Sequence, residues 1–103
     1  FDKAGVYTGV IPCADCGGIE TTLELRADGT YSLTEIYKDK KDGRFESSGK
    51  FQWDAAASCI TVGEGEDLIS YIVEGDHLIM LDQDGHRVTG ELADHYVLTK
   101  QAV

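Results

Sequence analysis

Two cysteines stand three residues apart in the stretch "VIPCADCGGIE", behind Pro12, the only proline, and ahead of Gly17 and Gly18. Cys13 and Cys16 are the residues whose types and spacing are best suited to chemistry. Pro12 favours the first position of a helical turn, which would put both thiols on one side of a turn covering Ala14 to Gly17. Free backbone N–H groups at such a turn, with the adjacent glycine amides, lower thiol pKa values. Four chemistries use such a pair. A disulfide oxidoreductase places its CxxC at a helix start within a βαβ unit, and no such pattern surrounds this one. A structural zinc site needs four ligands, and neither a second CxxC nor a closely spaced histidine pair completes the set. Monovalent copper accepts two or three soft ligands, so Cys13 and Cys16, with Cys59 or Met80 as a third, would suffice. A short disulfide bracing the loop is the structural alternative in an oxidising compartment. Composition alone favours the bracing disulfide over copper.

The other chemistry-bearing residues are scattered. Cys59 alternates against Ile60 and Val62, which places it on the face opposite the core. Glu35 falls in phase with Tyr31, Leu33 and Tyr37 on the inward face of its strand, and is read as a rim carboxylate. His77, His86 and His95 are read as surface residues near turns. No Ser/His/Asp or paired-carboxylate arrangement stands out, so the reading is of a binding or sensing module rather than an enzyme.

The elements that must position the pair are strands. Turn signals recur at short intervals: "ADGT" at 27–30, "DKKDG" at 39–43, "DAAAS" at 54–58, "GEGED" at 63–67, "EGD" at 74–76 and "DQDG" at 82–85. Between them run β-branched and aromatic segments that alternate with period two. The alternation predicts strands over Gly5–Val10, Ile19–Arg26, Thr30–Tyr37, Phe45–Trp53, Cys59–Val62, Leu68–Glu74, His77–Asp82 and Tyr96–Lys100. Pro12 lacks a ladder donor and should end the first of them. Short sequential hairpins favour an all-β, up-and-down antiparallel meander. Closing about eight strands into a small barrel removes both exposed edges. Ser47 and Gly49, on an otherwise aromatic inward face, either line a cavity or make room for Trp53 or Tyr71.

Length and composition agree with one such domain over residues 1–103. Hydrophobic residues make up 42% of the chain and charged residues 27%, which suits a globular fold. No apolar run approaches the roughly 20 residues of a membrane helix. The chain starts at Phe1 rather than a methionine, so any export signal or lipid anchor is expected to have been cut away, and the sequence does not show its own address. A formal net charge of -10 repels phosphate backbones and argues against a nucleic-acid partner.

"YTGVIPCADCGGIETTLELRADGTYSL", Tyr7 to Leu33, resembles the N-terminal domain of the NlpE-type copper-resistance lipoproteins. Tyr37, "GRFESSGKFQW" at Gly43–Trp53, "HLIMLDQDG" at His77–Gly85, Tyr96 and Leu98 extend the resemblance over almost the whole chain. The specific element is a proline-preceded CxDC followed by Gly-Ile. The resemblance implies a lipocalin-like barrel, held to the outer membrane by a lipid and facing the periplasm. It also implies a link to copper homeostasis, adhesion or envelope stress, with Cys13 and Cys16 as the copper-binding or redox-sensitive element. Cys59 has no counterpart in the family pattern, and nothing here corresponds to the second domain of enteric members. The expected partners are a metal ion, an envelope protein or an apolar ligand, with the membrane reached through the lipid alone. A carrier of an apolar ligand, or an adhesion module with a bracing disulfide, is the alternative function.

Overall fold

The computed structural model describes residues 4–12, 17–63, 68–81, 86 and 95–101. Nine strands follow in order: β1 (Gly5–Ile11), β2 (Ile19–Leu25), β3 (Thr30–Tyr37), β4 (Arg44–Lys50), β5 (Gln52–Asp54), β6 (Cys59–Val62), β7 (Ile69–Glu74), β8 (His77–Met80) and β9 (Val97–Lys100). All pairings are antiparallel, in the order β4-β3-β2-β1-β9-β8-β7-β6-β5. The two ends of that order are joined by a single residue, Phe51, so the sheet rolls into a nearly closed all-β antiparallel barrel; the expected removal of both edges is incomplete, because among the described residues no ladder covers the outer side of β4. No helix among the described residues is long and apolar enough to cross a membrane.

The alternation explains the roll. Tyr7 and Ile11 of β1, Leu23 and Leu25 of β2, Tyr31 and Leu33 of β3 point to one face. Ile60 and Val62, Tyr71 and Val73, Leu78 and Leu98 do so across the far wall, and together these side chains form the core. Tyr96 and Phe51 pack against it from the side. Gly9 sits where β1 crosses β9. A Cβ there would lie 2.6 Å from the Val97 carbonyl oxygen and 3.1 Å from Leu98, so only glycine lets the two strands approach this closely.

One predicted strand is in fact two. Phe45–Trp53 keeps its alternation throughout, but the backbone leaves the ladder at Phe51. Its first part pairs with β3 and its second with β6. β3 is served along Arg44–Lys50 and β6 along Gln52–Asp54, and the chain changes partner at Phe51. The first part also lies away from the core: all seven residues of β4 are exposed, including the inward-phased Phe45 and Ser47. Gly49 does make room for an aromatic ring, but for Tyr31, the residue directly opposite, rather than Trp53 or Tyr71. The first strand ends at Ile11, one residue before Pro12, as expected. Other boundaries move by a residue or two: β2 stops at Leu25, β7 starts at Ile69, β8 stops at Met80 and β9 starts at Val97. The turn expected over Ala14–Gly17, apart from Gly17 itself, and the end of the strand expected to reach Asp82 lie outside the described residues.

Candidate functional site

The cysteine loop leaves the barrel between β1 and β2. Its two stems are pinned by the Ile11↔Ile19 pair, and Ile11 is buried. Cys13 and Cys16 themselves lie outside the described residues, so the geometry reported is that of the frame holding them. Gly18 has a positive φ of 130°, and a Cβ there would meet Val10 Cγ1 at 2.7 Å. A glycine is therefore needed for the chain to return into β2. The Gly18 carbonyl accepts a hydrogen bond from the Lys38 N–H at 2.9 Å. A Cβ on Gly17 would meet Asp39 Oδ2 at 2.6 Å. The turn between β3 and β4 thus lies against the base of the cysteine loop, and Lys38 Nζ reaches Glu20 Oε1 at 3.7 Å. Lys38, Lys40 and Lys41 bring positive charge to this end of an otherwise strongly acidic chain. This support was missed in the sequence. The signal for it was the pairing of a double glycine with a turn rich in lysine and aspartate, two loops with no period to connect them.

The residues proposed as additional ligands separate. Cys59 opens β6 with a free, half-buried thiol, on the face opposite Ile60 and Val62 as its alternation predicts. Three strands, β7, β8 and β9, stand between β6 and β1 in the sheet order. Met80 pairs with Tyr71 and packs against the core. Its backbone N–H donates to the Tyr96 carbonyl, at the end of the barrel where the cysteine loop emerges. His77, His86 and His95 are exposed. Among the described residues no group of three or more His, Cys, Asp or Glu is placed to hold a metal ion. Cys13 and Cys16, expected to hold a soft metal ion, lie outside the described residues.

Beneath the loop, the inward face turns polar. Glu35 is half-buried, opposite Thr21 on β2 and Phe45 on β4. Thr21 is buried and its hydroxyl donates to the Ile19 carbonyl at 3.2 Å. The Tyr71 hydroxyl is wholly buried and has no hydrogen-bond partner among the described residues. Burial, reinforced by the Glu35 carboxylate, pushes its phenol well above the ordinary value of 10.0. A shallow, open depression of about 210 Å³ lies beside these strands, lined by Ser32, Leu33, Thr34, Glu46, Ser47 and Ser48. Its hydroxyls and carboxylate are a poor match for an apolar cargo.

Nine antiparallel strands rolled into one sheet, with the CxxC segment between the first two in sequence, define a small all-β barrel domain. The profile of the NlpE N-terminal domain matches residues 7–91, and the chain belongs to that family. Lipoprotein NlpE of Escherichia coli K12 is 38% identical over 87 residues, covering 82% of this chain and 36% of that protein. A 17 kDa lipoprotein of Treponema pallidum is 46% identical over 39 residues, covering 38% of this chain and 25% of that protein. The chain therefore spans about a third or less of the length of these relatives. Among solved structures, a lipoprotein from Shewanella oneidensis superposes with a TM-score of 0.88 at 47% identity, covering 100% of this chain and 93% of the other. The Cpx pathway activator NlpE from Escherichia coli superposes with a TM-score of 0.72 at 33% identity, covering 85% and 46%.

Proposed function

We propose that this domain is the copper- or redox-sensing module of an envelope lipoprotein, with Cys13 and Cys16 as its responsive element. Reduced, the two thiolates take one monovalent copper ion; oxidised, they close a disulfide and the ion is refused. The observation that carries the reading is the frame around the loop. Both stems are fixed, by the Ile11↔Ile19 pair and by the Lys38 bond to Gly18, so a change at the cysteines is passed to an ordered barrel end. The setting inferred from the likeness to these lipoproteins is a lipid-anchored domain at the outer membrane, on its periplasmic face. The Escherichia coli relative is an activator of the Cpx pathway. By analogy, the readout here is contact with an envelope protein rather than catalysis.

Native mass spectrometry of the reduced chain with copper(I), kept anaerobic, tests this. One copper per parent chain and none on the Cys13→Ser/Cys16→Ser chain is the expected result. Equal loading of the two would move the site elsewhere, and no loading of either would leave the pair as a bracing disulfide.

A further inference from the structure

β4 is a sheet edge with its hydrogen-bonding groups turned outward. The Tyr37 N–H donates to the Gly43 carbonyl at 2.8 Å and the Phe51 N–H to the Gly29 carbonyl at 3.0 Å. Antiparallel pairs alternate between bonded and non-bonded, so Phe45, Ser47 and Gly49 exchange bonds with β3. Arg44, Glu46, Ser48 and Lys50 point their N–H and C=O groups away from β3. Near Lys50 that same side is taken over by β6, which pairs with Gln52. From Arg44 to Ser48 no ladder covers it among the described residues. Edge strands are normally blunted by a proline, a bulge or a central lysine. β4 has an unbroken register, no proline, and Ser47-Ser48-Gly49 at its middle and far end.

We propose that this edge pairs with the same edge of a second copy of the chain, antiparallel, about a two-fold axis at Phe45. Charge selects that register. Centring on Ser47 would set Arg44 against Lys50, and centring on Glu46 would set two glutamates face to face. Centring on Ser48 would drive the incoming strand onto β6. Centring on Phe45 places each Arg44 opposite Glu46 of the second copy, with their outward backbone groups exchanging bonds. Within one chain Arg44 Nη2 already lies 2.9 Å from Glu46 Oε1, with both side chains exposed. The pairing turns two such bridges into one alternating four-charge cluster. Phe45, 57% exposed and packed edge-on to Tyr37 at 5.5 Å, meets its own copy at the axis. The shared surface is well below that of a permanent dimer, so the association is weak and concentration-dependent.

Sedimentation velocity and amide NMR between about 10 µM and about 1 mM, a range matched to weak association, test the proposal. The expected result is an apparent mass that rises towards twice the monomer's, with shifts centred on Phe45, Glu46 and Ser47. Glu46→Arg places like charges across the axis and should keep the chain monomeric at about 1 mM, at the top of that range. Arg44→Glu/Glu46→Arg restores opposite charges in swapped positions and should recover the dimer. Glu46→Pro removes an edge N–H that β3 does not use, and should abolish pairing while circular dichroism stays unchanged. A parent that remains monomeric at the highest concentration overturns the proposal. So does a dimer that survives Glu46→Arg and Glu46→Pro, or a charge-swapped chain that fails to recover it.

Discussion

Replacing Tyr71 with phenylalanine should make this barrel more stable. The Tyr71 side chain is fully buried, and its hydroxyl has no hydrogen-bond partner among the described residues. A buried, unsatisfied polar group costs about 1–3 kcal/mol relative to its solvated state in the unfolded chain. Phenylalanine keeps the ring, and with it the contacts to the core cluster that includes Ile60 and Leu78. The change leaves only the small void of one oxygen, which returns a fraction of the gain. A net stabilisation of about 1 kcal/mol follows, or a rise in Tm of about 4–8 °C for a domain of this size. The urea midpoint should rise with an unchanged slope, since the same surface is exposed on unfolding. Alkaline pH supplies an independent check. The folded phenol titrates above its ordinary value, so both states are protonated below pH 10 and the contribution is complete there. Above that, only the unfolded chain releases the proton, and stability falls as pH rises, by up to about 1.4 kcal/mol per unit for this group. The phenylalanine variant should lose that part of the alkaline slope. A variant less stable than the parent by 1 kcal/mol or more, or one with an unchanged alkaline slope, would refute the reasoning and give the hydroxyl a partner.

Gly9→Ala should destabilise the barrel by about 2 kcal/mol, because the new Cβ meets a backbone oxygen that can move only by shifting β9; thermal unfolding reads this as a loss of about 10 °C. Cys59→Ser should change stability by no more than about 0.5 kcal/mol, since the thiol is on the outer face of β6 and only half-buried; chemical denaturation checks it, and a loss of several kcal/mol would place Cys59 in the core.

Period-two alternation was enough to find the strands, because burial on one face imposes it residue by residue. Ile19, Thr21, Leu23 and Leu25 face inward just as their spacing requires, and Cys59 faces outward for the same reason. Pairing is another matter. The break at Phe51 leaves the alternation of Phe45–Trp53 intact and changes only which neighbour is served, so no local pattern could report it. The exposure of β4 follows from that change of neighbour as well. At the candidate site, the cysteines announced themselves by spacing. Their support did not, because the contact of Gly17 and Gly18 with Lys38 and Asp39 joins two loops that lie twenty residues apart. The unpartnered Tyr71 hydroxyl was equally hidden: its inward phase was legible, but whether a partner met it depends on β3 across the barrel.

The most direct test of the account is a copper(I) competition titration of the reduced chain, carried out without oxygen and repeated with zinc. One high-affinity copper should bind to the parent and to the Cys59→Ser chain alike. It should be lost from Cys13→Ser/Cys16→Ser with the barrel still folded, and zinc should bind far more weakly because two thiolates leave its tetrahedron half empty. Copper affinity that is the same with and without Cys13 and Cys16, or zinc held as tightly as copper, would contradict it.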